Sequence, residues 1–297
     1  MKLFFLSLFS LFSGTTYAAS CCVANTSVPN LMILPSSWQQ TLTVASNRVI
    51  GDVDPDGSST FRNSKNRETT NLARMDLAYS WSEKYQNGIS VRYQNKKRSF
   101  EGSEASDSGW SDLGLFQAYQ PIKYQRTWIF NSINVPTSQS VYDSKAAFSV
   151  DAHGAGTYQA GLGIFHLINF RSWDVIASSE VHHSFVRSFG SGENKKEVGN
   201  FWGTSLSAGV GYIPWRSKFR YGLNLTPRIE GQKTVKINGA NQNSKQSLVW
   251  DSVFNVTYTF NAQYALGVNY LDQTIVGPAR NTLLNRSLSI LFQTHFL

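Results

Sequence analysis

His182 and Ser184 have the residue types and spacing that could support catalysis. Residues two positions apart in a strand lie on the same face, so the imidazole could act as a base toward the serine hydroxyl. Asn200 is the only nearby residue that could orient such a base. The simpler alternative, which we favour, is that both side chains are ordinary polar residues on one face of a strand.

Motifs for metals or cofactors are not evident in the sequence. His153, His166 and His295 are isolated and lack the spacing of metal ligands. Cys21 and Cys22 are adjacent, and neighbouring cysteines rarely bridge, so neither a disulfide framework nor a cysteine-based metal site is predicted. No phosphate-binding glycine loop is present. We therefore expect no cofactor.

Segments that alternate apolar and polar residues run along the chain and would hold such side chains in place. Period two is the signature of a strand, and an aromatic residue often ends the apolar face. Twelve segments are predicted: 38–46, 72–81, 89–96, 110–120, 126–135, 157–165, 173–186, 202–212, 219–228, 248–260, 264–270 and 283–297.

The connections between these segments alternate between long polar stretches, such as 97–109, and short turns, one of them indicated by Asn87-Gly88. This pattern predicts an all-β fold, a transmembrane antiparallel β-barrel of about 12 strands in the bacterial outer membrane. Short turns and both termini would be periplasmic, and long loops extracellular. A secreted β-sandwich also alternates, but it does not explain the asymmetry of the loops.

The polar face of each strand would point into the barrel lumen, because a charge facing lipid costs about 2–4 kcal/mol near the membrane midplane. The inner glycines Gly203, Gly209 and Gly211 either allow a ligand to approach or make room for a large side chain. The lumen-lining residues are either a solute path or a structural network of ion pairs. They are Arg74, Asp76, Arg92, Asp174, Glu180, His182, Arg220, Asn224, Arg228, Asp251, Asn269 and Gln293.

The N-terminus has the form of an export signal. Lys2 precedes an apolar stretch and small residues, which predicts a signal peptide over 1–19. Lipidation of Cys21 is an alternative, although the residues before it lack the usual leucine. Segment 20–37 is predicted to lie in the periplasm or to plug the lumen, and 38–297 forms the barrel.

The chain is basic, with a formal net charge of +8. Excess lysine and arginine could indicate nucleic-acid binding, but export argues against it. The basic residues are scattered through polar segments such as 96–98 and 195–196. Outer-membrane lipids and lipopolysaccharide are therefore the expected partners, and nucleic-acid binding is not expected.

The segment 108–122, SGWSDLGLFQAYQPI, resembles the outer-membrane family of meta-pathway phenol degradation proteins, which is related to FadL-type channels for hydrophobic compounds. Ser108, Gly109, Asp112 and Leu113 match its Ser-Gly-x-x-Asp-Leu opening. The resemblance implies passive uptake of small hydrophobic or aromatic solutes without an enzymatic step. The C-terminal segment 287–297 is similar to the signal read by the barrel-assembly machinery, which implies that partner.

Three other functions stay open. A general diffusion porin is the main alternative. Outer-membrane phospholipases are also twelve-stranded and carry a His-x-Ser pair. Here, however, Phe185-Val186-Arg187 replaces their polar glycine-rich sequence, and the pair is predicted to face inward. A structural or adhesive barrel acting through its loops is the third.

Overall fold

The computed structural model describes residues 36–63, 65–122, 126–191, 195–237 and 239–296. Apart from one short 3-10 turn at Ala147–Ser149, the regular structure of this part is all β. The strands are β1 (Ser37–Val53), β2 (Ser59–Phe61), β3 (Arg67–Ser80), β4 (Tyr85–Phe100), β5 (Ser103–Trp110), β6 (Leu113–Tyr119), β7 (Thr127–Val135), β8 (Gln159–Phe170), β9 (Trp173–Ser184), β10 (Arg187–Phe189), β11 (Lys196–Val198), β12 (Phe201–Tyr212), β13 (Phe219–Glu230), β14 (Thr234–Ile237), β15 (Ala240–Asn243), β16 (Ser247–Thr259), β17 (Tyr264–Asp272) and β18 (Thr282–Phe296).

Twelve of these strands close into one antiparallel barrel. The order is β1-β3-β4-β6-β7-β8-β9-β12-β13-β16-β17-β18, and β18 pairs back onto β1. The closing register runs from Trp38 opposite Phe296 to Val53 opposite Thr282. Closure removes the unpaired sheet edges that an open sheet would expose. The predicted fold class, an all-β barrel of about 12 antiparallel strands, is confirmed.

Side chains alternate between the two faces of the barrel wall. In β17, for example, Leu266 and Val268 are exposed, whereas Ala265 and Asn269 are buried. Large apolar residues are exposed in this way around the barrel, as are Leu162 and Ile164 on β8. An apolar outer surface of this extent is unfavourable in water and is typical of a barrel that faces lipid.

The two ends of the barrel differ in their connections. The end that we call the turn end carries the short connections 81–84, 120–126, 171–172, 213–218 and 260–263. The opposite end, the loop end, carries the long connections 54–66, 101–112, 136–158, 185–200, 231–246 and 273–281. Two of these long connections contribute β10, β11, β14 and β15 to a separate four-stranded sheet.

The turn predicted at Asn87-Gly88 is wrong. The turn lies at 81–84, where the Trp81 amide donates to the Tyr85 carbonyl (2.9 Å), and β4 has already begun at Tyr85. Gly88 instead lies under the ring of Phe116, and a Cβ there would come within 2.4 Å of it. The glycine is therefore required by side-chain packing inside the barrel.

The polar stretch 97–109 was predicted as a loop, but most of it is a hairpin. Strand β4 continues to Phe100, and β5 returns from Ser103 after a turn at Glu101-Gly102, where both residues have positive φ. The alternation of apolar and polar residues disappears where water surrounds both faces of a hairpin. Backbone hydrogen bonding between the two strands does not require that alternation. The sequence pattern therefore underestimates strand length at the loop end.

The predicted signal peptide and nearly all of segment 20–37 fall in residues 1–35, which lie outside the described part of the chain. Ser37 already belongs to β1. No helix among the described residues is long and apolar enough to cross a membrane.

Candidate functional site

The twelve polar residues predicted for the lumen all lie on the strand face opposite to the exposed apolar side chains. Four of them, Arg74, Arg92, His182 and Arg228, are partly exposed. The other eight are buried: Asp76, Asp174, Glu180, Arg220, Asn224, Asp251, Asn269 and Gln293.

Arg220 and Asp174 form the most buried charged pair inside the barrel. Arg220 Nε donates to Asp174 Oδ2 (2.7 Å), Nη2 donates to Oδ1 (2.5 Å), and Nη1 donates to Asn255 Oδ1 (2.8 Å). The guanidinium crosses Gly211 on the intervening strand β12, where a Cβ would lie 2.3 Å from it. Gly211 therefore makes room for a large side chain, which is one of the two roles considered for the inner glycines.

Other inner charges are also paired within the wall. Arg228 Nη2 donates to Asp251 Oδ1 (3.0 Å), which also accepts from Gln273 Nε2 (2.7 Å). Arg74 Nε donates to Asp76 Oδ1 (2.8 Å). These contacts favour a structural role for much of the polar set.

Arg92 differs from these residues. It lies directly opposite Arg74 in the β3–β4 register. Within the described part of the chain, no carboxylate is within ion-pair distance of its guanidinium. Because Asp76 already pairs with Arg74, Arg92 contributes the positive charge that would attract anions to this part of the lumen.

His182 and Ser184 do not form a base–nucleophile pair. His182 Nε2 is 3.1 Å from Glu230 Oε1, and Gly203 leaves the space that its ring occupies. Ser184 is fully buried, and its Oγ accepts a hydrogen bond from Gln159 Nε2 (2.9 Å). The two side chains are thus held by different partners, as expected of ordinary polar residues.

We expect a Ser184→Ala variant to leave any phospholipid hydrolysis by the purified protein unchanged, because the serine contacts Gln159 rather than a base. The measurement is release of fatty acid from mixed micelles, compared with the wild-type protein prepared in parallel. Hydrolysis that is present in the wild type and lost in the variant would contradict this.

An apolar patch inside the barrel was missed by the sequence analysis. Strands β6 to β9 bring together Ala118, Trp128, Phe130, Phe165, Leu167 and Ile176, all at most 6% exposed. The Trp128 and Phe165 ring centroids are 5.7 Å apart. We call these six residues the apolar wall. The sequence feature that could have indicated this patch is that β7 and β8 carry apolar residues on both faces. Neither strand therefore has a purely polar face to turn inward.

The connection 136–158 folds against the inner face of β4 at the loop end. Gln94 Nε2 donates to the His153 carbonyl (2.6 Å), and Lys96 donates to the Ala152 carbonyl. Val150 is 1% exposed. Gln94 and Lys96 have the same strand parity as Arg92, so this connection, the docked loop, covers part of the barrel mouth.

The Asp151 carboxylate accepts several of the hydrogen bonds within the docked loop. Asp151 accepts hydrogen bonds from Gln139 Nε2 (2.9 Å), from the Lys145 (2.9 Å) and Ala146 (3.2 Å) amides, and from Ser144 Oγ. Burial raises the pKa of Asp151, but the hydrogen bonds outweigh it and leave the pKa below its ordinary value. A lowered pKa means that the stabilisation is present above the pKa of an unfolded aspartate and is lost as pH falls through the lower folded value.

Residues of the 108–122 segment anchor the docked loop. Asp112 accepts from Ser138 Oγ (2.6 Å) and from the Ala155 amide (2.7 Å). Gly109 lies against the ring of His153, where a Cβ would be 2.6 Å away. Two of the four residues that carry the family resemblance, Gly109 and Asp112, therefore contact this loop.

The fold is similar to that of the COG4313 outer membrane channel from Pseudomonas putida F1. The TM-score is 0.70 at 13% sequence identity, over 89% of this chain and 97% of that chain. The translocator domain of autotransporter NalP from Neisseria meningitidis is also similar (TM-score 0.53, 9% identity, 87% of this chain and 88% of that chain). So is the beta domain of the Bordetella autotransporter BrkA (TM-score 0.51, 11% identity, 88% and 98%).

No protein-family model and no curated protein matches the sequence. The structural likenesses establish the fold of an outer-membrane barrel. That fold is shared by a channel, in line with the resemblance of segment 108–122, and by autotransporter domains. The function must therefore be argued from the lumen.

Proposed function

We propose that this protein is an outer-membrane channel for the passive uptake of small, hydrophobic or aromatic solutes into the periplasm. The apolar wall is the observation that carries the proposal. Barrel lumens that conduct water and ions are lined by polar side chains, whereas here Trp128, Phe130 and Phe165 turn aromatic rings inward. These rings are at most 4% exposed and pack against their neighbours. An aromatic solute that passes this level would displace them and gain dispersion and ring-stacking contacts with them in exchange.

The polar part of the lumen supports the same proposal. Paired charges such as Arg220 with Asp174 satisfy each other within the wall, so they stiffen the barrel without requiring a charged cargo. The docked loop narrows access from the loop end, which we take to be extracellular. The apolar wall lies nearer the turn end, next to the connections 120–126 and 171–172. A small solute that passes the docked loop would therefore meet the apolar wall before it reaches the periplasm.

The test is uptake of toluene into liposomes containing the refolded protein, with arabinose as a polar reference solute. Uptake by protein-free liposomes is subtracted, because toluene also crosses lipid without a protein. A Phe130→Ser variant makes the wall polar and is expected to reduce toluene uptake several-fold. Phe130→Leu keeps the site apolar and should stay nearer to wild type than Phe130→Ser. Both variants must first show the heat-resistant mobility of a folded barrel in gels.

Equal toluene uptake by wild type and folded Phe130→Ser would contradict a hydrophobic route. If arabinose enters as fast as toluene, the general diffusion porin is favoured instead. In that case Arg92, which lies opposite the paired Arg74, predicts a preference for anions in planar-bilayer recordings.

A further inference from the structure

Three arginines lie on neighbouring strands of the outer face, towards the loop end. Arg286 of β18 is directly opposite Arg48 of β1. On the other side of β1, Arg48 is opposite Thr69 of β3. Arg67 is two positions from Thr69 on the same face of β3, towards the loop end. All three arginines are exposed. They form one basic surface across the seam where the first and last strands close the barrel, and we call it the seam cluster.

The seam cluster has more positive charge than its surroundings neutralise. Like charges directly opposite each other on neighbouring strands are unfavourable. Arg286 Nε donates to Asp272 Oδ2 (2.7 Å). Within the described part of the chain, neither Arg48 nor Arg67 has a carboxylate at ion-pair distance. An anion from outside the protein would therefore relieve the repulsion.

The height of the cluster along the barrel can be deduced from the register. Trp38 and Phe296 face each other at the turn end, and Arg48 and Arg286 lie ten positions further along the same two strands. Ten residues of strand span about 33 Å. With a tilt of about 40°, the rise along the barrel axis is about 25 Å, the usual height of the apolar band. The arginines thus lie at the edge of the lipid layer.

Aromatic residues occupy this level elsewhere around the barrel. His183 is also ten positions from Trp173 on β9, and its ring centroid lies 4.3 Å from that of Trp202. Tyr93 is eight positions from the turn-end residue Tyr85 on β4, and its ring centroid lies 5.3 Å from that of Trp110. Such aromatic girdles are usual at membrane interfaces. At the seam, arginines replace the girdle, which indicates a different partner at this point of the interface.

We propose that the seam cluster is a binding site for the phosphate groups of lipopolysaccharide in the outer leaflet. Guanidinium groups suit phosphate because they donate two parallel hydrogen bonds and keep their charge. Asp272 orients one arginine, and Arg48 and Arg67 remain available for the lipid. The inference rests on the outer-membrane placement in the proposed function.

The test compares thermal unfolding in detergent micelles with and without lipopolysaccharide. For the wild-type protein we expect the unfolding midpoint to rise with added lipopolysaccharide, as ligand binding to the folded state requires. Lipopolysaccharide stripped of phosphate and phosphatidylglycerol should each give a much smaller rise. The double variant Arg48→Gln/Arg67→Gln breaks no ion pair with a carboxylate among the described residues. It should lose most of the rise in unfolding midpoint with lipopolysaccharide, and its midpoint without lipid should equal that of the wild type.

The matched control is Arg171→Gln/Arg216→Gln, which removes two cations from the turn end and should keep the full rise. An undiminished rise in the seam variant, or an equal rise with phosphatidylglycerol, would overturn the assignment. Toluene uptake, measured after the same proteins are reconstituted into liposomes, separates the two proposals. If wild-type protein takes up toluene and the seam variant keeps its full rise with lipopolysaccharide, only the lipid site is rejected. If the wild-type protein takes up no toluene, the channel is rejected.

Discussion

An Asp174→Ala variant is expected to lose about 3–5 kcal/mol of unfolding free energy, because it leaves a buried charge without its partner. The side chains of Arg220 and Asp174 are only 8% and 6% exposed. Asn255 would still accept one hydrogen bond from the guanidinium, but an amide cannot neutralise its charge. The measurement is urea unfolding in detergent micelles, followed by tryptophan fluorescence.

Two controls distinguish charge from packing. Asp174→Ala/Arg220→Met removes both charges and should recover most of the loss, since an apolar substitute for a buried pair is often tolerated. Glu104→Ala breaks an exposed pair with Lys97 and should cost less than about 1 kcal/mol. A double variant as unstable as the single variant would show that shape, rather than charge, holds this part of the wall.

An Asp112→Ala variant is expected to loosen both ends of the docked loop and so raise single-channel conductance. Gln94 and Lys96 would still hold the loop at His153 and Ala152. Asp112 accepts hydrogen bonds from both ends of that loop, at Ser138 and Ala155. The barrel strands do not depend on these bonds, so the unfolding midpoint should change little. Planar-bilayer recording of the refolded protein measures the step size directly.

Asp56→Ala provides the matched control, because Asp56 accepts from Ser58 within the 54–66 connection. That variant should conduct like the wild type. A separate deletion of residues 23–35 tests the predicted plug by the same conductance measurement. Loosening the docked loop and deleting the plug can change the conductance by different amounts. Unaltered conductance in Asp112→Ala would mean that the loop does not limit the pore.

Much of the barrel was predictable because strand alternation is a local property. Every strand that faces lipid must repeat apolar residues at every second position, and twelve such segments define both the strand count and the inward parity of Asp174 and Arg220. The signal fails beyond the lipid, as in the hairpin of β4 and β5. It also fails where packing fixes a residue, as at Gly88 beneath Phe116.

The functional contacts were not predictable, because they depend on register around the closed barrel. Strand parity says that Asp174 points inward, but only the pairing across Gly211 brings it to Arg220, 46 positions away in sequence. The apolar wall exists because β6 to β9 are neighbours and their inner residues meet.

The sequence by itself determined a twelve-stranded barrel with a polar inner face and an apolar outer face. Tertiary structure decided which inner groups meet, how the 136–158 connection covers the mouth, and that Arg48 faces Arg286. The physical reason is that alternation is encoded within each strand, whereas stagger and closure are set jointly by all the strands. The meeting of the first and last strands is therefore a property of the whole barrel.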